Sequence, residues 1–206
     1  VTLPPPLPSG MFGSRPQPFH FMTLDGQRLK QQELDGKVSV LLWFNNHPAG
    51  QDATQKMNAV KASLSTDQRV SFYAVCTDPT TVASHQQIRE LLSMWAVDLT
   101  VVRDLHPFGP SCFGVTQLPT LIVLDALGKV QYFEVLSAQN LDEVLPVVVQ
   151  RLLDGDDLAQ EILSEYRQEL LTYQQQLEIA GAANSSVVLP PAQITIAPAN
   201  DPDHIN

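Results

Sequence analysis

Two cysteines, Cys76 and Cys112, are the residues of this chain that could do thiol chemistry. Neither belongs to a Cys-x-x-Cys pair, and two cysteines are too few for a disulfide framework or a zinc site. Cys76 ends a predicted buried strand, and Cys112 precedes a loop predicted at the same sheet edge, so a relocated Cys76–Cys112 pair is one hypothesis. The other is that both are small buried apolar residues, the commoner state of a free cysteine.

The histidines do not show the spacing of a metal site. His47 lies just before a predicted helix, at residues 52–64, where it could bind an anion or a metal ion. An exposed loop histidine is the simpler interpretation, and we predict neither a metal nor a cofactor. The remaining four histidines are His20, His85, His106 and His204.

Composition limits the chain to one substantial core. It has 206 residues, of which 44% are hydrophobic. No apolar run approaches the ~20 residues that span a bilayer, so we predict no membrane insertion. The first residue is Val, and we expect the chain to be a segment of a longer protein.

The net charge of −10 is unevenly distributed. Up to residue 137 the chain has 11 acidic and 10 basic residues, whereas the remainder has 11 and 2. Nucleic acid is therefore an improbable partner of the last third, because both carry negative charge.

The most informative stretch of the sequence is 114–125. A turn containing Pro119 leads into an apolar run at 121–124, and a second strand follows at 129–135 after a short glycine turn. A continuous apolar run with such a turn predicts a central strand, buried on both faces and paired in a hairpin.

The order Gly114-Val115-x-x-Leu118-Pro119-Thr120, strand, Asp125, Gly128, strand resembles the thioredoxin-like redoxins of the TlpA and AhpC/TSA type, a bacterial family. The resemblance implies an α/β fold: a thioredoxin-like three-layer sandwich with a central mixed sheet, here with an extra long C-terminal helix. It also implies a cis bond before Pro119, because this proline is cis in that family.

A second motif, Gly36-Lys37 followed by a strand to Phe44, is also similar to that family. The family places Cys-x-x-Cys at the start of the next helix, where the helix dipole lowers a thiol pKa. Alignment on Met57 puts Gly50 and Ala53 at the two cysteine positions, and no cysteine precedes Cys76 in any register. The resemblance therefore implies the fold without its usual chemistry.

Two related chemistries also lack their residues. A peroxiredoxin motif counted from Pro48 would need Thr and Cys where the chain has Asp52 and Gln55. Copper-binding relatives use two cysteines with a histidine, and these cysteines are missing.

The other predicted elements follow the same order. Strands are predicted at 19–24, 70–75 and 99–102. One helix is predicted from Asp78 as N-cap, with Pro79 at its first position, to about Trp95. Another begins with an Asn140–Glu143 capping box and runs through residue 153. Residues 106–112 read as a loop.

These predictions divide the chain into four parts. Residues 1–18 form a Pro-rich linker, 19–153 the thioredoxin-like domain, 156–180 a long amphipathic helix, and 181–206 a flexible tail or linker. The helix either docks on its own domain or pairs with a partner or a second copy through the stripe at 158–177. The stripe consists of Leu158, Ile162, Tyr166, Leu170, Tyr173 and Leu177.

Taken with the resemblance, the sequence favours a non-catalytic binding or scaffolding module in a longer, extracytoplasmic bacterial protein. The predicted partner is a peptide segment or a neighbouring domain. The alternatives are a thiol-disulfide oxidoreductase or antioxidant redoxin that uses Cys76, Cys112 or a second domain, and a purely structural spacer. The residues predicted to line the binding groove are Asn46, His47, Gln51, Leu118 and Pro119.

Overall fold

The computed structural model of the chain describes residues 2–64, 67–135 and 140–183. Within these residues, seven strands form one mixed sheet in the order β2-β1-β5-β4-β3-β6-β7. The strands are β1 (His20–Thr23), β2 (Arg28–Lys30), β3 (Val38–Phe44), β4 (Val70–Cys76), β5 (Thr100–Arg103), β6 (Thr120–Leu124) and β7 (Val130–Val135).

Four α-helices accompany this sheet in the described part of the chain. They are α1 (Pro48–Ser63), α2 (His85–Met94), α3 (Leu141–Leu153) and α4 (Leu158–Ala183). A short 3-10 helix, Gln31–Leu34, and a π-helical turn, Gly109–Phe113, complete the regular structure. The α/β architecture predicted from the sequence is therefore present, including the long C-terminal helix.

The centre of the sheet is made of its most apolar strands. β3 lies parallel to β4 and antiparallel to β6, and all residues of β3 and β6 are buried. β6 and β7 form the predicted hairpin. Continuous apolar sequence thus marks the strands that are covered on both faces.

Successive side chains of each strand point to opposite faces, so the sheet separates two cores. Helices α1, α2 and α3 all pack on the face that carries Val40, Leu42 and Phe44, and with this face they form the first core. The other face, with Leu41 and Trp43, forms the second core, which is covered by loops, the Gly109–Phe113 turn and the start of α4. The sequence predicted helices on both faces; here α4 is the α-helix that contributes to the second.

The segment after β4 differs from its prediction. Asp78 does not cap a helix: its Oδ2 accepts a hydrogen bond from the Asn46 backbone N–H at 2.9 Å. Helix α2 begins only at His85, after a capping box between Ser84 and Gln87. The capping box satisfies two helix N–H groups reciprocally, so it outcompetes the Asp-Pro start signal.

The N-terminal segment is not a plain linker, because part of it packs on the domain. Phe12 is buried in the second core and forms a bridge with Val130. Arg15 donates to both carboxylate oxygens of Asp35 at 2.9 Å. Burial of an aromatic ring outweighs the extended preference of the neighbouring prolines, so the folded unit includes residues before 19.

Two local predictions also need correction. Helix α3 starts where expected, but Asn140 makes no side-chain cap; its backbone oxygen accepts from Glu143 N at 3.1 Å. The 106–112 region is not only a loop, since Gly109–Phe113 forms a π-helical turn that ends at Gly114 with φ +73°. Glycine adopts this left-handed conformation without steric cost.

Helix α4 docks on the domain through its first turns. Leu158 and Ala159 are buried, and Ile162 and Leu163 pack against the second core. The buried Gln131 side chain accepts from Ala159 N at 2.9 Å and donates to Asp125 Oδ2 at 2.8 Å. The strand hairpin therefore caps the helix, which supports the docking prediction for this half.

The distal half of α4 is more exposed. Leu171, Leu177 and Ile179 are 50%, 47% and 71% exposed. Thr2, Leu3, Pro4 and Pro5 share a cavity of about 620 Å³ with one side of this half. The described helices include no segment long and apolar enough to cross a membrane. Most of the predicted 181–206 tail, from residue 184 onward, lies outside the described residues.

Candidate functional site

The candidate site lies at the sheet edge where β3 and β4 end. Phe44 pairs with Cys76, Cys76 pairs with Arg103, and Trp43 pairs with Thr120. Pro119, one residue before Thr120, therefore stands beside the end of β3. The Leu118–Pro119 peptide bond is cis, the isomer that the family resemblance implies.

The loop after β3 leads into α1 through His47. This residue is the N-cap: its Nδ1 accepts a hydrogen bond from Ala49 N at 3.3 Å, and Pro48 occupies the first helical position. The His47 ring is exposed, but one of its nitrogens already serves its own helix. The structure thus gives this histidine a capping role.

Gly50 and Ala53, the positions aligned with the missing cysteines, both lie inside the protein. Gly50 is buried, and a Cβ built on it would lie 2.4 Å from the Asn45 backbone oxygen. Ala53 is fully buried in the first core. A side chain larger than hydrogen at Gly50 requires the Asn45 loop to move, because real Cβ contacts are not that short. The alignment itself stays a prediction.

Cys76, the last residue of β4, is buried and faces the first core. Its Sγ lies 3.7 Å from Asp78 Oδ2. Burial raises the pKa of the Cys76 thiol to about 11. The backbone hydrogen bond with Asp78 and the positive charge of Arg103 lower this pKa, but by less than burial raises it. Because the thiolate is the nucleophile in disulfide exchange, Cys76 is held in its unreactive, protonated form at neutral pH.

Cys112 does not meet Cys76. It lies in the Gly109–Phe113 turn, buried in the second core, with its Sγ 3.6 Å from the Ser111 hydroxyl. The two cysteines thus pack on opposite faces of the sheet, and the strands stand between them. The hypothesis of a relocated Cys76–Cys112 pair is therefore not supported by the geometry.

A buried arginine braces this edge, and the sequence interpretation did not single it out. Arg103 is 0% exposed; its Nη1 donates to Ala83 O at 2.7 Å and its Nη2 donates to Asp78 O. Its Nε finds no hydrogen-bond partner among the described residues. An arginine directly after an apolar strand was the available signal, since such a side chain must find acceptors if it is buried.

Asp104 fixes the other flank of the edge. Its carboxylate accepts from the Trp43 indole N–H at 3.3 Å, from Phe108 N at 3.0 Å and from Gly109 N at 2.7 Å. A Cβ on Gly109 would lie 2.7 Å from Trp43 Nε1. The turn that carries Cys112 is therefore packed directly onto the β3 tryptophan.

The structure also brings together two histidines that the sequence left unrelated. The His20 and His106 ring centroids are 5.5 Å apart, and Phe108 contacts both rings. Burial, with help from Arg28 and His106, lowers the pKa of His20. The described residues contain no group of three or more His, Cys, Asp or Glu side chains placed to hold a metal ion.

The residues predicted to line a groove differ in accessibility. Asn46 and His47 are exposed, Gln51 and Leu118 are half-buried, and Pro119 is buried. The edge therefore presents a polar loop and part of one leucine to solvent, while Pro119 is covered. Without an accessible thiol, this arrangement can offer contacts to a chain segment.

We compared the chain with known proteins by sequence and by structure. No protein-family model matches the sequence. A search of curated proteins also finds no match.

Solved structures do match. A protein assigned as the thiol:disulfide interchange protein DsbE, from Chlorobium tepidum, is 22% identical with a TM-score of 0.59, covering 68% of this chain and 96% of that one. The MTB DsbF structure is 25% identical with a TM-score of 0.53, covering 65% and 94%.

A third match is a secreted Mycobacterium tuberculosis disulfide oxidoreductase homologous to E. coli DsbE. It is 20% identical with a TM-score of 0.51, covering 64% of this chain and 94% of that chain. This chain has the architecture of these proteins, but its sequence contains no Cys-x-x-Cys motif. The chain therefore carries a thioredoxin-like domain.

Proposed function

We propose that this thioredoxin-like domain is a non-catalytic binding module of the TlpA and redoxin type. The observation that carries the proposal is the state of the thiols. Both cysteines are buried on opposite faces of the sheet, and burial raises the pKa of Cys76 to about 11. Disulfide exchange needs an accessible thiolate and a resolving thiol within reach.

The binding surface that we propose is the edge formed by residues 45–51 with Leu118 and Pro119. The pairing of Trp43 with Thr120 supports it, because this register brings the two segments side by side. Exposed Asn46 and His47, next to half-buried Leu118, offer polar contacts and one apolar contact. An extended peptide or a loop of a neighbouring domain is the ligand class that suits such an edge.

The proposed setting is the envelope of a bacterial cell, as part of a longer protein. Support comes from the similar structures, one of which belongs to a secreted oxidoreductase. In that setting a neighbouring domain is a natural ligand for the edge.

The decisive experiment measures disulfide reduction. Dithiothreitol-driven reduction of a model protein disulfide should run no faster with the chain than with serum albumin at the same thiol concentration. Catalysis that is lost in Cys76→Ser or Cys112→Ser would refute the proposal and favour a thiol-disulfide oxidoreductase or antioxidant redoxin.

The edge is tested separately by selecting binders from a random peptide library against the whole chain. Selected peptides should lose binding to Leu118→Arg, a change at a half-buried rim position. They should keep binding to Leu127→Arg, a control at an exposed leucine in the β6–β7 turn. Equal binding to both variants would rule out this edge as the binding surface.

A further inference from the structure

Away from the sheet edge, a groove of about 430 Å³ runs between α3 and α4. Its apolar floor consists of Val144, Val147 and Val148 from α3, Leu158 and Ile162 from α4, and Tyr132 from β7. This volume lies within the range of roughly 300–1,000 Å³ that is typical of ligand-binding clefts.

The groove exposes apolar surface that the domain itself does not cover. Val147 is 58% exposed, although Val148 beside it is buried. Ile162 and Val144 are only half-buried. A partner that covers these apolar side chains and removes them from water lowers the free energy of the system.

The rim of the groove is acidic. It carries Glu143, Glu161 and Glu165 against one cation, Arg151. Arg151 donates to Asp156 Oδ2 at 2.7 Å and to Glu161 Oε1 at 2.6 Å, so its charge is already balanced. Glu143 on α3 and Glu165 on α4 both line the groove, one on each helix.

Charge complementarity decides which occupant fits. We infer that this groove receives a basic amphipathic helix of a partner protein, with apolar side chains on the floor and Lys or Arg toward Glu143 and Glu165. A cleft between two helices accepts a third helix through side chains spaced three and four residues apart. A second copy of this chain is disfavoured, because it would bring a net charge of −10 to an acidic rim.

This inference does not depend on the proposed function, because the sheet edge and the groove share no residue. A helix bound here would leave residues 45–51 and Leu118 free. The chain would then have two separate surfaces for protein contacts.

The test uses the whole chain and a fluorescein-labelled 14-residue helical peptide of Leu and Lys. Its leucines are spaced three and four residues apart, and the matched peptide has Glu at every Lys. Fluorescence anisotropy should show binding of the Lys peptide and none of the Glu peptide. Failure of the Lys peptide to bind would overturn the inference.

Two variants assign the binding to the groove. Val147→Asp places a charge on the exposed floor, and Glu143→Lys with Glu165→Lys reverses the rim. Each should weaken the Lys peptide roughly tenfold or more, since apolar and charged contacts both contribute. Because all three residues are exposed, circular dichroism should show unchanged folding.

The matched control is Glu90→Lys with Glu178→Lys, which changes the net charge equally but lies outside the groove. This control should bind the Lys peptide as the unmodified chain does, apart from a small general charge effect. Equal weakening in both double variants would mean nonspecific attraction and would overturn the inference. So would a dimer in sedimentation that Val147→Asp converts to monomer, because the occupant would then be a second copy.

Discussion

The sheet edge at the end of β3 and the groove between α3 and α4 differ in what they expose. At the edge, Cys76 and Gly50 are buried, and polar groups such as Asp78 bind neighbouring backbone. At the groove, apolar Val147 faces solvent between carboxylates. The thiol and the small residue at this edge are thus covered, whereas the groove leaves apolar surface open to solvent.

This difference implies that substitutions at the buried positions of the edge should cost stability, while substitutions in the exposed distal half of α4 should be tolerated. The following predictions test it, from the largest expected effect to the smallest.

Introducing a cysteine at Gly50 should destabilise the domain most. A Cβ there would lie 2.4 Å from Asn45 O, and overpacking of this kind costs about 3 kcal/mol. Urea denaturation of Gly50→Cys measures the loss. Gln51→Cys, half-buried on the same helical turn, is the control and should change stability by less than ~0.5 kcal/mol. Equal stability of both variants would show that the loop yields easily.

The Cys76 thiol should make the domain sensitive to alkaline pH. Its pKa is raised from 9.0 to about 11 in the folded state, so below pH 9 the thiol is protonated in both states and favours neither. Between pH 9 and 11 only the unfolded state releases the proton, and folding stability falls by roughly 2–3 kcal/mol before levelling off.

Cys76→Ala should therefore lose less stability than the unmodified chain over that range, as measured by urea denaturation at stepped pH. Cys112→Ala serves as the matched control, and Tyr73 and Tyr132, whose pKa values are also raised by burial, are common to all three proteins. If the Cys76→Ala curve paralleled that of the unmodified chain, the thiol would be less buried than described.

Gln131 should be the main link between the sheet and α4. Gln131→Met keeps the approximate shape but leaves Ala159 N–H without its acceptor and removes the donor to Asp125. An unsatisfied buried group costs about 2 kcal/mol. Thermal melting measures the loss, with Gln160→Met on the exposed face of α4 as control. An unchanged melting temperature would mean that the helix docks by apolar contact alone.

The two halves of α4 should respond differently to the same change. Leu163→Ala, in the docked half, should lower stability by about 1.5 kcal/mol, because its half-buried side chain packs on the second core. Leu177→Ala, in the exposed half, should cost at most ~0.5 kcal/mol. Chemical denaturation of both variants compares them directly. A larger loss for Leu177 would indicate a partner on the distal helix, including a second copy of the chain.

Most of the succession of strands and helices along the chain, the β6–β7 hairpin and the absence of a Cys-x-x-Cys motif could be predicted from the sequence alone. Runs such as 121–124 carry their own signal, since continuous apolar sequence is stable only when both faces are covered. The absence of a cysteine pair can be established without a structure, because it is a property of the sequence itself. The apolar stripe of α4 was likewise visible, as helical periodicity is a local property.

Tertiary structure decided what depended on distant contacts. Asp78 accepts a hydrogen bond from the Asn46 backbone instead of capping a helix. Phe12 is buried in the second core although its neighbours in sequence are rich in proline. In both cases contacts with residues distant in sequence outweigh the local preference. The same holds for α4, in which the apolar stripe is buried at Leu158 and exposed at Leu177. Periodicity shows which face of a helix is apolar, but only the packed neighbours determine how much of that face they cover.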